Sequence, residues 1–354
     1  MTNNTHSALG LMSGSSLDGL DIACCRFSFS VNKWQYHIEK SETVSYTAQW
    51  HQKLASAHLL PSNELFRLDV EYGQLIGELA ASFIHKHQLT PEFISSHGHT
   101  IFHEPEFGHS FQLGKGAAIA KQSHLTTVSD FRNADIRNGG QGAPLVPIGD
   151  ELLFSEYVAC LNLGGIANIS FNEKGNREGY DLCAANQLLN LLSNEVGLPF
   201  DEGGAIAASG KVDSRLLEQL NSDVYFRYQH PKSLNNQYVT GHFISPLLSK
   251  QISVENRLAT AVAHISKHCA HSINHLIHGK VLVTGGGAHN RYLIESIKKL
   301  TSQEIVVPDK QLIDFKEALV FAFMGVLRIQ QKVNCLGSVT GAKCDSIGGV
   351  IDRP

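Results

Sequence analysis

Long apolar runs are missing from this chain. Nowhere does it reach the roughly 18 consecutive apolar residues that a membrane-spanning helix needs. Its beginning, MTNNTHSALGLMSG, has neither a basic lead nor the apolar core of a signal peptide. Cysteine is scarce: seven residues, at 24, 25, 160, 183, 269, 335 and 344, with no C-x-x-C pair. An odd count without paired spacing excludes a disulfide framework and a cysteine zinc site as expectations, and it points to a reducing, cytoplasmic setting. Excess positive charge is absent too. With 29 basic against 33 acidic residues and a net charge of -4, there is no electrostatic case for nucleic acid or for an anionic membrane surface. No short-period internal repeat is visible.

What is present is an ordinary globular composition, 42% hydrophobic and 18% charged, spread over 354 residues. That length exceeds what one core usually supports, so two domains are expected. Strands are predicted at 7–12, 21–29 and 36–46, followed by a helix from Ser62 to about His87 whose apolar residues Leu65, Leu68, Tyr72, Leu75, Ile76, Leu79 and Phe83 form one stripe. Further strands are predicted at 93–96 and 125–129, around a small helix at 116–124. The glycine-rich stretch RNGGQGAPLVP (137–147) is the clearest break. Beyond it, 158–163 and 166–171 read as a hairpin, 185–196 and 255–278 as helices, 280–284 as a buried strand, 291–300 as a helix, 305–307 as a strand and 315–331 as a helix. Two mixed α/β halves with a cleft between them follow from that alternation.

The chemistry is carried by three glycine turns. In GLMSGSSLDGLD (10–21) a short strand runs into glycines, hydroxyls and two carboxylates. Residues Gly14, Ser15, Ser16, Leu17, Asp18, Gly19, Leu20 and Asp21 form a candidate phosphate cradle, because glycine lets backbone N–H groups approach an anion closely. It is not a G-x-x-x-x-G-K-[ST] loop, since it has no lysine and leads into a strand. Asp18 can serve a Mg²⁺ ion, directly or through water. A plain hairpin turn is the competing reading. Gly164-Gly165 in LNLGGIANIS and Gly285-Gly286-Gly287 in VTGGGAHN repeat the pattern, and each alone could be only a tight turn. Taken together they follow the order of two phosphate loops and a nucleoside loop.

Other candidates are each open to a second explanation. Asp181, ahead of a predicted helix, reads as a cap from the residues alone. Asp130 and Arg132 could hold sugar hydroxyls or a carboxylate, or could form a loop salt bridge. In Asp314-Phe-Lys-Glu317, Glu317 could complete a capping box or reach a ligand. His97, His99 and His103 form H-x-H-x₃-H, which invites a zinc reading beside that of a loop near a substrate pocket.

These motifs go past fold class. GLMSGSSLDGLD, SHGHTIFHEP (96–105), SDFRNADIRNGGQGAPLVP (129–147), LNLGGIANIS (161–170), VTGGGAHN (283–290), DFKEAL (314–319) and NCLGSVTGAK (334–343) run nearly end to end. In them the chain resembles the anhydro-N-acetylmuramic acid kinases of bacterial cell-wall recycling. The resemblance implies a two-domain actin-like (ribonuclease H-like) α/β ATPase fold with an interdomain cleft. The expected domains are 1–128 with 336–354, and 129–335. It implies ATP and Mg²⁺, a small amino sugar as substrate, and a cytoplasmic homodimer. It makes Asp181 the base, places Arg132, Asp130, His97 and Glu317 at the sugar, and removes the need for zinc. Alternatives are a kinase of this fold for another amino sugar and a nucleotide-binding protein without turnover. The pattern departs at one place: relatives carry Asp-Thr-Gly-Pro-Gly-Asn where this chain has Asp181-Leu-Cys-Ala-Ala-Asn186, and aspartate where it has Asn190. Leu and Ala favour helix, so a helix starting earlier than in relatives is expected there.

Overall fold

The computed structural model describes residues 5–14, 17–230, 232–248 and 251–354. Of the candidates above, Ser15 and Ser16 lie outside the described residues. The chain divides into two compact units, Met1–Leu153 with Phe315–Pro354, and Phe154–Asp314.

The first unit is built on strands β1 (Thr5–Ser13), β2 (Gly19–Ser30), β3 (Lys33–Ser45), β4 (Phe93–Glu104), β5 (His109–Leu113) and β6 (Thr127–Ser129), with a C-terminal strand Val350–Asp352. β1, β2 and β3 form an antiparallel meander, β4 lies parallel to β1, and β6 lies parallel to β4. β5 folds back on β4, and the C-terminal strand pairs antiparallel with β6. The helix Ser62–His87 covers this sheet with Leu65, Leu68, Tyr72, Ile76 and Phe83 inward, the stripe the sequence predicts. Its N-cap is Pro61 rather than Ser62, and Gln88 closes it in the left-handed region (φ 53°).

The second unit repeats this winding. β7 (Ala159–Leu163), β8 (Ile166–Glu173) and β9 (Asn176–Ala184) form an antiparallel meander, with β10 (Lys280–Thr284) parallel to β7 and β11 (Glu304–Val306) parallel to β10. Helix Val254–Asn274 packs Leu258, Val262, Ile265, Cys269 and Ile273 into the core. Three antiparallel strands followed by two parallel ones, occurring twice, is the ribonuclease H-like topology doubled, the actin-like class expected above.

The unit bounds differ from the expected domain bounds. Residues 129–153 and 315–335 fall with the first unit, because β6 joins its sheet and helix Lys310–Ile329 lies against β1. A Cβ on Gly10 would come within 1.9 Å of the Ala318 carbonyl oxygen, and one on Gly149 within 2.4 Å of Val320. β9 is a long strand that carries no strand signal. Exposed Asn176, half-buried Glu178 and Gly179 break the apolar run there.

Backbone against backbone at Gly10 leaves no room to relax. Gly10→Ala is expected to destabilise the protein by about 1–3 kcal/mol or more, through overpacking. Urea denaturation checks this, and an unchanged midpoint would mean that β1 and the helix can part without cost.

Candidate active site

β1 ends in Ser13, and the first glycine turn follows. Leu17 adopts a positive φ of 59° and donates its N–H to the Gly14 carbonyl at 3.3 Å. Asp18 is exposed. The turn is shorter than the candidate cradle, since Gly19, Leu20 and Asp21 already belong to β2. Gly19 is required by strand packing: a Cβ there would lie 2.5 Å from the Val44 carbonyl oxygen. Leu20 is buried in the core, and Asp21 accepts from the Thr43 hydroxyl at 2.5 Å. Beside the turn, Ser13 Oγ meets His99 Nδ1 at 3.0 Å and accepts from Tyr46 at 2.8 Å.

His97 and His99 lie on strand β4, not on a loop as expected, and an irregularity at Gly98 (φ 74°) lies between them, so that His97 packs on Phe321 while His99 turns to Ser13. Arg132 donates to the Gly142 carbonyl at 2.7 Å and to His97 Nε2 at 2.7 Å. With Nε2 accepting, His97 Nδ1 carries the proton and donates to the Gly98 carbonyl at 3.0 Å. Burial, and then the nearby guanidinium, hold the imidazole well below its ordinary range. Burial likewise lowers Arg132 to about 10, and its Nε has no partner among the described residues. Asp130 sits at a positive φ of 58° and turns its carboxylate to Asn133 Nδ2 at 2.7 Å, so it shapes the turn and forms no salt bridge with Arg132. No cluster of three or more metal-ligating side chains occurs among the described residues.

Glu317 is not a cap. Helix Lys310–Ile329 starts seven residues earlier, so the glutamate lies well inside it. It keeps solvent-accessible surface, yet its carboxyl is raised, by burial among the surrounding protein atoms first and by the Asp21 carboxylate second, against Lys316 and Arg132. The next residue back, Lys316, is buried in an ion pair with Asp150 at 2.6 Å. The first unit thus brings Asp21, His97, Arg132 and Glu317 within electrostatic reach of one another.

In the second unit the remaining two glycine turns meet. β7 and β10 are parallel neighbours, so the turns after them, at 164–165 and 285–287, share the carboxyl edge of the sheet, where α/β folds commonly bind ligands. Asn186 joins them, donating from Nδ2 to the Leu163 carbonyl at 3.0 Å and from its backbone to Gly164 at 3.1 Å. Gly285 (φ 81°) and Gly287 are glycines because the turns touch: Cβ atoms there would lie 2.4 Å from Asn162 Oδ1 and 2.7 Å from Leu163 Cβ. Gly164 and Gly286 meet only atoms at 3.4 Å and 3.5 Å, so packing does not demand glycine there.

Asp181 lies within β9, one strand from that edge, and is neither a helix cap nor a first-turn residue. Its N–H donates to the Lys232 carbonyl at 3.1 Å, its carbonyl accepts from the Tyr225 hydroxyl at 2.6 Å, and its Oδ2 accepts from the Leu234 N–H at 2.9 Å. Oδ1 has no partner among the described residues. Burial raises the carboxyl to about 6, with the Leu234 bond opposing. No signal near residue 181 points to Tyr225, Lys232 or Leu234, and only the fold shows that they surround Asp181.

The chain matches the sequence signature of the anhydro-N-acetylmuramic acid kinases over residues 6–353. The chain belongs to this family. It is similar to the anhydro-N-acetylmuramic acid kinase of Synechococcus elongatus, at 32% identity over 370 residues covering 96% of this chain and 98% of that one. It is similar to that of Pseudomonas syringae pv. syringae at 34% over 361 residues, covering 97% and 98%. Among solved structures it is similar to the activator of the 2-hydroxyisocaproyl-CoA dehydratase from Clostridium difficile with bound ADPNP. There the TM-score is 0.45 at 15% identity, covering 92% of this chain and 97% of that one, a likeness too slight to bear on function.

The departure from the anhydro-N-acetylmuramic acid kinase pattern now has a physical form. Leu182, Cys183, Ala184 and Ala185 are all buried, at 3% exposure or less. Leu182, Cys183 and Ala184 complete β9, Ala185 stands at the helix N-terminus, and the helix begins later than expected, at Asn186. Asn190 is exposed on that helix.

A carboxyl raised from about 4 in the unfolded chain to about 6 when folded binds a proton more tightly in the native state. Its contribution to stability is full below about pH 4 and is lost as pH rises through about 6. Asp181→Asn removes that titration. Its stability relative to the parent, from urea denaturation, is expected to rise between those two pH values and then level off. A flat difference would place the carboxylate in solvent.

Proposed function

We propose that the chain is an ATP-dependent kinase of peptidoglycan recycling. It opens 1,6-anhydro-N-acetylmuramic acid with water and phosphorylates the released O6, giving N-acetylmuramic acid 6-phosphate. The observation that carries this reading is the Asp181 carboxylate, held by one oxygen, free at the other, and raised to about 6 by burial. A base of that strength is ionised at neutral pH yet basic enough to draw a proton from water.

In the reaction, Asp181 Oδ1 takes the proton as the water oxygen bonds to the anomeric carbon. The bond from that carbon to O6 breaks, and its electron pair remains on O6. O6 then bonds to the γ-phosphorus while the bond to the ADP oxygen breaks. The phosphorus acts as the sink for the leaving oxygen, so no second carboxylic acid has to protonate it, unlike a simple glycoside hydrolysis. Arg132 supplies a cationic partner for the sugar's lactyl carboxylate. Two of its nitrogens are already seated on Gly142 and His97, and Nε is unengaged, so the charge arrives with its direction fixed. Glu317 accepts from a sugar hydroxyl. His97 supports Arg132, and Asp130 shapes the turn that presents it.

Backbone amides of the turns at 14–18, 164–165 and 285–287 serve the triphosphate and nucleoside. Asp18 is exposed and has no ligand cluster around it among the described residues. That donor set fits Mg²⁺ held mainly by water and phosphate oxygens, and the ion, when bound, neutralises phosphate charge. We also read the chain as a cytoplasmic homodimer with a small-molecule substrate and no nucleic-acid or membrane partner. No helix among the described residues is long and apolar enough to cross a membrane.

With ATP and the anhydro sugar, mass spectrometry is expected to show a product heavier by one water and one phosphoryl group. Phosphorylation without added water, or ADP release indifferent to sugar, would sink the assignment. Asp181→Asn is expected to keep nucleotide binding and to lose about 10²–10⁴-fold in kcat, the usual worth of a general base. Wild-type turnover in that variant would dismiss Asp181. Arg132→Lys is expected to raise KM for the sugar by about tenfold with a smaller effect on kcat, since a fork becomes a point charge. An unchanged KM would place Arg132 outside the pocket.

A further inference from the structure

The C-terminal motif NCLGSVTGAK (334–343) has no part in the reaction above, yet it converges on a buried carboxylate. Asp135 is fully buried, in the short helix Asn133–Arg137 that begins directly after Arg132. Its Oδ1 accepts from the Thr340 hydroxyl at 2.7 Å and from the Cys335 thiol at 3.3 Å. Its Oδ2 accepts from the Gly142 N–H at 2.8 Å. Burial and the adjoining carboxylate push the Cys335 thiol up, so it stays protonated and donates.

Gly142 is also the residue on whose carbonyl Arg132 rests, at 2.7 Å. One peptide on either side of this glycine therefore links the C-terminal motif to the guanidinium. Backbone bonds reinforce the link, from the Gln141 N–H to the Thr340 carbonyl at 2.8 Å and from the Lys343 N–H to the Asn138 carbonyl at 3.2 Å. The loop's glycines fit this arrangement and no other side chain does. Gly142 has a φ of 66°, and a Cβ on Gly140 would lie 2.2 Å from Asp135 Oδ2.

We propose that Thr340 and Cys335 are positioning residues for sugar binding: by holding the Asp135 carboxylate they fix Gly142, and Gly142 fixes the direction of Arg132. This rests on the reading of Arg132 as the sugar's cationic partner. A buried carboxylate that loses a donor must seek another. The nearest freedom is rotation of Asp135, which releases Gly142 and lets the Arg132 fork swing off its fixed line.

The test is steady-state kinetics with 1,6-anhydro-N-acetylmuramic acid and ATP on the full chain. Thr340→Val keeps the volume but removes the hydroxyl. It is expected to raise KM for the sugar about tenfold, the worth of a hydrogen bond to a charged group, with KM for ATP and kcat within about twofold. Thr340→Ser is expected to restore the parent KM. If Thr340→Val does not fold, Cys335→Ala serves in its place, with a rise of about threefold expected for the weaker thiol donor. Arg132→Lys, run alongside, separates the two readings. If it raises KM for the sugar while the Thr340 and Cys335 variants do not, the positioning inference fails and the sugar-binding reading stands. If none of them moves KM for the sugar, both fail. Parallel rises in both KM values, or a loss that Thr340→Ser does not restore, would reduce Thr340 to a packing residue and overturn the inference.

Discussion

Water is kept from most of the Asp181 carboxylate, and this desolvation is what the proposed chemistry depends on. An exposed aspartate would be too weak a base, and a sealed one could not reach its substrate. The strand solves this by fixing the residue at three points: its N–H, its carbonyl and one carboxylate oxygen. All three contacts come from Tyr225, Lys232 and Leu234, so the carboxylate is oriented by backbone and by one tyrosine rather than by a partner charge. The loss of the family's glycine-proline turn next to it is compatible with this arrangement. Leu182 to Ala185 are absorbed into sheet and core, and they leave Asp181 where the strand puts it.

Arg132 shows the complementary strategy. Burial lowers its pKa only to about 10, so it stays charged, and no ion pair among the described residues neutralises it. The guanidinium is satisfied by a carbonyl and an imidazole, both neutral, which leaves its positive charge for an anionic ligand. A carboxylate partner in the same place would have spent that charge within the protein.

Much of the fold was legible in the sequence. The long helix after Pro61, the β7–β8 hairpin and the strands that precede each glycine turn follow from periodicity and turn chemistry, both local signals. The misreadings share a cause, which is that the decisive contact lies far along the chain. Asp181 reads as a cap because nothing nearby announces that Lys232 and Leu234 hydrogen-bond to it on the strand. Glu317 reads as a capping residue because Asp314 and Lys316 mimic a helix start, whereas Asp309 caps the helix earlier through Leu312. Gly19, Gly285 and Gly287 also have a packing reason, close approach of Val44, Asn162 and Leu163, that no local pattern shows. The candidate site residues come mainly from the resemblance, since hydrogen bonds such as Arg132 to His97, spanning 35 positions, leave no periodic trace.

The pairing of Asp181 with Lys232 has a second consequence. β9 is the outermost strand on its side of the second sheet, and a bare outer strand is a template on which a foreign chain can build. At Asp181 the outward N–H is already occupied, and the stretch that occupies it carries a lysine. The contact that aims the carboxylate therefore also guards this flank of the protein against aggregation.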